Sequence, residues 1–593
     1  MKTIKIINMK KLIIFSSIGI GLIVTLLYAC SGDFLETMPT GSANNVVLAN
    51  AKGVDMLLIG AYAGIDGTPT TDGSLPGSVS NWVFGGFASD DAYKGQGQGG
   101  EAQSVVIELY TADATTPYLE GRWKVDYNTI QRANDVLRVM EKATDISDAN
   151  RTLIKAQALF IRGFMHFEAI RVFKYIPYIT ETDVASEVSN SDPAEAWAGI
   201  ESDLKFAYEN LPLSWTEVGR ATKYAAAAVL AKVYIFQKKW TDAKPLLDVI
   251  IASGKFDLMP NFEDNFMIAS RNNKESIFEI QYSIFDGSSG NANAGYGQYA
   301  VNGMISIDGM ISCCGGYQPS QTLVNSFQVD PVTGLPFLDK DTLANFKHDM
   351  GIQSTTQFVQ DTVTPVDPRL DYTVGRRGVP FLDAGIMRGR SWIREQDYGG
   401  PYINRKYQFK KSDIGINSNT SGWATGLNVN NYRAVRYAHV LLLRAEVAAE
   451  TGDFPYATQL VNQIRNRAAN NVVMGRCRTF ILGSQTGLKV DYSVPAANYL
   501  INPYPVTFPN IDYARKAIYT EQRLELAMEG FRFFDLVRWG EAEKMITLFI
   551  KQDSKFRNYL GGSVFQKKHE YWPVPQSQLD LQPDVLIQNP DWE

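Results

Sequence analysis

Two segments of the chain, far apart in the sequence, follow the same helix-hairpin pattern. They are AAVLAKVYIFQKKWTDAKPLLDVI at 227–250 and VLLLRAEVAAETGDFPYATQLVNQI at 440–464. When Trp240 is aligned with Phe454, other positions coincide as well: Ala231 with Ala445, Ala243 with Ala457, Leu246 with Leu460 and Ile250 with Ile464. Small residues on the first helix allow a second helix to approach closely after a tight turn, as in tetratricopeptide units. The pattern predicts a mainly α protein built on a scaffold of paired helices.

The rest of the chain alternates helical periodicity with long irregular stretches. Apolar residues recur at three- and four-residue steps from Trp123 to Met140, and a second amphipathic run covers 153–173. Residues 64–100 are dense in Gly, Ser, Thr, Asp and Asn, which predicts a loop. Residues at about 256–430 are rich in the same types and in Tyr. We therefore expect a helical scaffold mainly at 120–255 and 430–550, interrupted by a loop-rich insertion at about 256–430.

Composition and motifs argue against several classes of function. A net charge of -6 leaves no basic excess to neutralise nucleic-acid phosphates. The chain has no H-E-x-x-H, no G-x-S-x-G and no Gly-rich lysine loop, and GQGQGG at 95–100 follows the polar SDDAYK rather than a predicted strand. His166 and His439 lie in apolar helical surroundings, where a hydrogen-bonded core histidine is the simpler interpretation. We expect no catalytic residue, no cofactor and no metal site.

The cysteines do not change that expectation. They are Cys30, Cys313, Cys314 and Cys477, and their spacing suits no zinc site. Cys313 and Cys314 are adjacent, so they form either a strained disulfide or two plain thiols.

The N-terminus has the organisation of a bacterial lipoprotein signal. Residues 1–11 carry four lysines and no acid, and 12–27 form an apolar run. Leu27 and Ala29 precede Cys30 as in a lipobox, although Tyr28 departs from the usual small or branched residue. We expect a signal peptide at 1–29, lipidation of Cys30 and a tether at 30–45. The alternative is an uncleaved signal anchor, for which the apolar run falls short of the ~20 residues of a membrane span.

The stretch ELAMEGFRFFDLVRWG at 525–540 places charges among large apolar residues. On a helix, Glu529, Arg532, Asp535 and Arg538 form successive i, i+3 pairs of opposite charge. A catalytic acid needs a pKa raised by burial without a nearby cation, whereas these neighbours would keep the carboxylates ionised. We therefore interpret the four residues as structural and predict that loss of Arg532 lowers stability.

Several stretches together resemble one family, the SusD/RagB-like lipoproteins. These are Cys30 with SGDFLE, WKVDYNTIQRANDVL from Trp123, AQALFIRGFMHFEAIRVFKYIPYI from Ala156, AAAAVLAKVYIFQKKWTDA from Ala225, PSQTLVNSFQVD from Pro319, DPRLDYTV from Asp367, YINRKY from Tyr402, YRAVRYAHVLLLRAEVAAETGD from Tyr432, ELAMEGFRFFDLVRWG from Glu525 and WPVPQSQLDLQPDVLIQNPDW from Trp572. The resemblance covers nearly the whole chain after the signal segment.

The resemblance implies a fold and a role. It implies a single SusD-like domain at 46–593, with about four tetratricopeptide-like helix pairs and a loop-rich ligand-binding part. It also implies a lipid-anchored protein on the outer face of the outer membrane. Such a protein binds a nutrient, most often a glycan and sometimes a peptide, and delivers it to a SusC-like TonB-dependent transporter. It is not an enzyme.

Candidate ligand contacts come from the chemistry of sugar recognition. Sugar rings pack their C–H faces on Trp and Tyr, while carboxylates, amides and Arg bind the hydroxyls. The loops offer Trp82, Asp90, Asp91, Tyr93, Tyr296, Tyr299, Tyr317, Trp392, Arg394 and Trp423. Two alternatives remain open: a peptide-binding member of the same import system, and a tetratricopeptide-type scaffold that binds only proteins.

Overall fold

The computed structural model describes residues 47–67, 75–97, 99–100, 102–284, 315–339, 341, 343–418, 420, 427–479 and 488–593. Its helices are α1 (Ala51–Gly64), α2 (Val105–Glu108), α3 (Pro117–Lys142), α4 (Asp148–Phe173), α5 (Pro193–Asn210), α6 (Lys223–Phe236), α7 (Trp240–Ala252), α8 (Gln321–Ser326), α9 (Leu370–Thr373), α10 (Gln396–Gly399), α11 (Tyr437–Glu450), α12 (Phe454–Ala469), α13 (Ile511–Leu526), α14 (Arg532–Trp539), α15 (Ala542–Asp553) and α16 (Gln576–Leu581). Its strands are β1 (Ala92–Gly95), β2 (Ser276–Ile280), β3 (Gly316–Pro319), β4 (Pro365–Val366), β5 (Val374–Gly375), β6 (Ile403–Asn404), β7 (Tyr432–Arg436), β8 (Met474–Thr479), β9 (Lys489–Pro495) and β10 (Asn498–Tyr499).

The long helices pack as successive antiparallel neighbours. Helices α3 to α7 each contact the next along the chain, and α11 contacts α12, α13 and α7. The two segments of the shared pattern form the hairpins α6–α7 and α11–α12. Trp240 and Phe454 each occupy the first position of the second helix. The mainly α, hairpin-based prediction is confirmed.

Small buried residues explain why these helices approach so closely. Ala225 to Ala228 and Ala231 on α6 have no exposed surface, and Ala445 on α11 has none either. Side-chain caps fix where helices begin. Thr222 accepts a hydrogen bond from the Ala225 N–H, and Asp453 accepts one from the Tyr456 N–H. Close packing and capping together fix the position of each hairpin.

The part of the chain between the hairpins is held by short two-stranded sheets. β2 pairs antiparallel with β7, with Ile280 opposite Tyr432, and this pairing brings the start and the end of that region together. Helix α11 begins directly after β7, at Tyr437. The expectation of a helix from about 430 was wrong for its first residues, because Tyr432–Arg436 finds a strand partner that is distant in the sequence.

The loop predicted at 64–100 contains regular structure. Trp82–Phe87 forms a π-helical turn whose six residues are all buried. Ala92–Gly95 is a strand that pairs antiparallel with β3, so the glycines at 95–100 do follow a strand. That strand lies in an antiparallel pair rather than in a βαβ unit, and the sheet therefore does not make the motif a dinucleotide site.

The main core is an extensive apolar cluster that links the helices with the C-terminal segment, and smaller separate clusters include one around Phe381 and Trp392. The main cluster runs from Val54 on α1 to Leu586 near the end of the chain. None of the helices in the described residues is long and apolar enough to cross a membrane.

Candidate functional site

The segment at 525–540 lies in a buried network of ion pairs, here named the charge hub and comprising Glu525, Glu529, Arg369, Lys406, Arg436 and Arg467. Arg436 donates to Glu525 Oε1 at 2.7 Å and to Glu529 Oε1 at 2.9 Å. Lys406 Nζ donates to Glu529 Oε1 at 2.8 Å, and Arg369 Nη1 donates to Glu525 Oε2 at 2.9 Å. Arg467 also pairs with Glu525. These bonds tie the C-terminal helices to the middle of the chain.

The electrostatics of the charge hub suit structure rather than catalysis. Burial opposes ionisation of Glu525 and Glu529, but the surrounding cations hold the pKa of both carboxyls below their ordinary value. A general acid requires the opposite shift. The two glutamates therefore carry their charge at neutral pH and anchor the three arginines and the lysine.

The predicted i, i+3 pairing at 529–538 is correct for only one of its three pairs. Arg538 Nε donates to Asp535 Oδ1 at 2.8 Å, as expected. Glu529 and Arg532 instead pair with residues far away in the sequence. A break in the helix explains why Glu529 and Arg532 do not pair: α13 ends at Leu526 and α14 begins at Arg532, and Met528 and Gly530 between them have φ of 64° and 79°. Arg532 and Asp535 do share α14, but Arg532 donates to Asp90 instead.

Asp90 and Asp91, assigned above to the ligand surface, are buried partners of two arginines. Arg532 Nε donates to Asp90 Oδ1 at 2.8 Å, and Arg523 Nε donates to Asp91 Oδ1 at 3.2 Å. Burial works against the charge on Asp90, yet Arg523 and Arg532 keep the pKa of this carboxyl low. Burial and the charge of Asp90 raise the pKa of Asp91 despite Arg523. The structure uses this acidic pair to fix the π-helical turn region against α13 and α14.

Four aromatic candidates also belong to the interior. Trp82 and Tyr317 meet edge to face with ring centroids 6.4 Å apart, and each is 1% exposed. Tyr93 is fully buried and donates to Asp553 Oδ2 at 2.6 Å. Trp392 packs edge to face on Phe381 at 6.2 Å. Their position in the predicted loop at 64–100 and in the loop-rich insertion pointed to the ligand surface, but the structure uses these rings for packing.

The remaining candidates divide into one surface residue and several outside the described part. Arg394 is exposed, on the segment between Trp392 and α10. Tyr296, Tyr299 and Trp423 lie outside the described residues. So do Cys30, Cys313 and Cys314, together with the expected signal peptide at 1–29 and the whole of the expected tether at 30–45.

The histidines singled out above are core residues. His166 Nδ1 lies 3.0 Å from the Arg162 carbonyl oxygen, and its Nε2 accepts from the Ile179 N–H at 3.2 Å. Burial, together with the charge of Arg162, lowers the pKa of His166 to about 3. His439 packs against Phe531 with ring centroids 4.7 Å apart. Within the described residues no three His, Cys, Asp or Glu side chains are placed to hold a metal ion.

Two open grooves lie on the described surface. The larger, of about 710 Å³, is here named the scaffold groove, and it is bounded by residues of α7, α11, α13, α14 and the start of α15. Its half-buried aromatic side chains are Trp240, Tyr519 and Trp539, and its deeper charged side chains are Arg523, Arg532 and Arg538. Sequence analysis missed this groove, because its walls come from three separate helical segments and from Leu338, Asp339 and Asp341 of the loop-rich part. The aromatic residues at the ends of α7 and α14 were the available signal.

The second groove, of about 560 Å³, lies between α1 and β2 and is here named the strand groove. Tyr62, Arg220 and Tyr282 line it, and it ends at Ser283, next to where the chain enters residues 285–314. Both grooves have the size of small-molecule sites and combine aromatic with polar side chains.

Comparison with known proteins assigns the chain to a family. The family model described as "SusD family" matches residues 274–592, which is more than half of the chain. The chain belongs to the SusD family. A second model, described as "Starch-binding associating with outer membrane", matches residues 33–235. The resemblance stated from the sequence motifs is confirmed.

Individual SusD-family relatives are distant in sequence and similar in fold. The SusD-like protein P25 of Formosa agariphila is 24% identical over 495 residues, which is 78% of this chain and 77% of the relative. A SusD homolog from Bacteroides thetaiotaomicron superimposes with a TM-score of 0.66 at 22% identity, covering 93% of this chain and 99% of the other. Surface glycan-binding protein A from Bacteroides fluxus has a TM-score of 0.64 at 22% identity, covering 91% and 99%. The SusD-like fold class is therefore confirmed.

Proposed function

We propose that this protein is a glycan-binding lipoprotein on the outer face of the outer membrane, which delivers its ligand to a SusC-like TonB-dependent transporter. The observation that carries the proposal is the SusD family match over residues 274–592. The shared fold with surface glycan-binding protein A supports it, and so does the second matched model, whose description names starch binding and the outer membrane.

The surface chemistry is compatible with a sugar ligand. Trp and Tyr side chains line the scaffold groove, and Tyr side chains line the strand groove; in both grooves they lie beside carboxylates and arginine. Apolar ring faces and hydroxyl-binding groups are the two requirements of carbohydrate recognition. Tyr296, Tyr299, Arg394 and Trp423 remain proposed contacts of the loop-rich part.

A binding screen tests the ligand class. The mature protein is applied to an array of glycans and peptides, and each hit is titrated by calorimetry. Saturable binding of one glycan class supports the proposal, and binding of peptides alone favours the peptide-importing alternative. Prolonged incubation with the bound glycan should release no shorter products, because the proposed role is binding rather than hydrolysis.

The lipid anchor is tested separately. Cys30→Ala removes the thiol that would carry the lipid, so we expect the variant to leave the membrane fraction. Cys477→Ala is a matched control that should stay with the membrane, because Cys477 is a buried thiol of the folded part. Retention of the Cys30→Ala variant in the membrane fraction would contradict the anchor.

The transporter partner is tested by affinity capture. The tagged, full-length protein is isolated from its own cells in mild detergent. We expect a TonB-dependent receptor to copurify in near-stoichiometric amount. Copurification of soluble proteins without such a receptor would favour the protein-scaffold alternative.

A further inference from the structure

The scaffold groove combines an aromatic surface with a size that suits a small ligand. The rings of Tyr519 and Trp539 stack at 3.9 Å with an angle of 12° between their planes. Trp240 also lines the groove, and within the described residues its indole has no ring or cation partner. A volume of about 710 Å³ lies within the range of ligand pockets, roughly 300–1,000 Å³. The groove thus offers apolar faces on which a sugar ring can pack.

A buried donor that lines the groove lacks an acceptor. Arg523 is 4% exposed; its Nε donates to Asp91 and its Nη2 donates to the Asp90 carbonyl oxygen at 3.0 Å. Its Nη1 has no hydrogen-bond acceptor among the described residues. That nitrogen has almost no exposed surface, so the guanidinium forms part of the groove wall, where Asp90 and Asp91 fix it.

The charges of the groove favour a neutral ligand. Arg515 donates to both carboxylate oxygens of Glu450 at 2.7 Å. Lys516 Nζ donates to Asp339 Oδ1 at 2.8 Å, and Arg538 Nη2 donates to Glu446 Oε2 at 2.9 Å. Since each of these cations already has a carboxylate, the groove has little excess charge with which to attract an acidic polymer. Hydroxyl groups can bind to such ion pairs at their unused donor and acceptor positions.

We propose that the scaffold groove is a binding site for a neutral hexose oligosaccharide, with Trp240 and the Tyr519–Trp539 stack packing against sugar rings. The inference rests on the proposed glycan-binding function and gives it a location on the helical scaffold. It places a ligand at the ends of the two hairpins, where Leu338, Asp339 and Asp341 of the loop-rich part complete the groove.

Titration of single variants tests the site. The probes are hexasaccharides of α-1,4-linked glucose, β-1,3-linked glucose and β-1,4-linked mannose, measured by calorimetry against protein whose melting temperature has been checked. For the probe that the unaltered protein binds, Trp240→Ala should weaken affinity at least tenfold, and Trp240→Phe should weaken it less. Tyr492→Ala is the control, because Tyr492 is 62% exposed on β9 and should leave affinity unchanged.

Hydrogen exchange gives an answer that needs no substitution. The bound probe should slow amide exchange in α13 and α14 of the unaltered protein. If a folded Trp240→Ala variant binds the probe with normal affinity and the probe slows amide exchange only in other segments, the groove is not the binding site. The proposed function would then still stand. If the unaltered protein binds no glycan in the array or among these probes, both the groove and the proposed function are wrong.

Discussion

Arg532 is held in the interior by a carboxylate that lies far from it in the sequence. Its guanidinium is 8% exposed and donates to both oxygens of Asp90, at 2.8 and 3.2 Å. Burial removes the contacts of a charge with water, so a buried charge is tolerated only if hydrogen-bonded partners compensate for them. Removing one partner leaves the charge of the other uncompensated. The contribution of Arg532 therefore depends on the Trp82–Phe87 region being correctly placed.

Replacement of Arg532 tests which carboxylate stabilises its buried charge. We expect Arg532→Ala to lower the free energy of unfolding by about 3–5 kcal/mol, because Asp90 then keeps only Arg523 beside it. In double-mutant cycles by urea unfolding, the coupling of Arg532 with Asp90 should exceed that with Asp535, the i+3 neighbour. Lys124→Ala, which removes an exposed i, i+4 pair with Glu120, should cost under about 1 kcal/mol. Equal coupling to the two aspartates would contradict the observed pairing.

Glu108 is a buried carboxyl that favours its protonated form. Burial raises its pKa to about 7, against hydrogen bonds from the Lys94 N–H and the Tyr559 hydroxyl that favour the charged form. The folded protein therefore binds a proton that the unfolded chain releases near its ordinary value of 4.5. The contribution of Glu108 to stability consequently falls as pH rises from about 4.5 to 7, by about 1.4 kcal/mol for each unit of the shift.

Glu108→Gln should remove that pH dependence. The amide keeps the shape of the neutral acid and an oxygen that accepts the same two hydrogen bonds. In thermal melts, the variant and the unaltered protein should melt close together at pH 5. At pH 8 the variant should melt several degrees higher. The same difference at both pH values would contradict the assignment of the proton to Glu108.

At the scale of the element, the two glycines that flank α14 differ in how closely the surrounding chain packs on them. Gly530 and Gly540 both have positive φ, of 79° and 74°. A Cβ at Gly530 would collide with the carbonyl oxygen of Ser80, whereas one at Gly540 meets nothing within 4 Å. The first glycine is therefore required by tight packing as well as by backbone conformation.

Gly540→Ala should cost about 1–2 kcal/mol, the backbone strain alone. Gly530→Ala adds a collision between two backbones that cannot move independently, so it should cost several kcal/mol more or prevent folding. Urea unfolding of the two variants measures the difference. Equal losses would show that the contact between Gly530 and Ser80 is unimportant.

The helices and strands differ in how far they could be predicted from the sequence. The helices were predictable, because apolar periodicity and the shared hairpin pattern are local signals. Strand β7 was not, because its partner β2 lies well over a hundred residues earlier and its five residues also suit a helix end. Among the charges of the 525–540 segment, only the Asp535–Arg538 pair has its partner one turn away. For the same reason the scaffold groove escaped detection, since its walls meet only in the folded chain.

At the scale of the whole molecule, the charge hub joins regions that the sequence separates. Arg369 and Lys406 come from the middle of the chain, Arg436 from β7, Arg467 from α12, and the two glutamates from the end of α13 and the turn after it. Arg436 is 1% exposed and contacts both glutamates. The loop-rich part and the helical scaffold therefore share one set of buried charges, and we expect them to unfold together.

Glu529→Gln tests this coupling. The substitution removes the charge that Lys406 and Arg436 share, so we expect the free energy of unfolding to fall by about 3–5 kcal/mol at pH 7. Burial opposes the charge of Glu529 but its cations lower its pKa, so its stabilising contribution is present above about pH 4.5 and is lost as pH falls further. The difference in free energy of unfolding between the variant and the unaltered protein should therefore become smaller as the pH falls below about 4.5.

Calorimetry decides whether the molecule responds as a unit. The unaltered protein should show one endotherm, and Glu529→Gln should shift that endotherm to lower temperature without splitting it. Limited proteolysis near the shifted midpoint should then cut the region around β2 and helices α11 to α13 at the same temperature. An early transition confined to the loop-rich part, with the helical transition unmoved, would show that the hub does not couple them. A single shifted transition means that a ligand bound to either part stabilises both, since binding to the native state raises the stability of everything that unfolds with it.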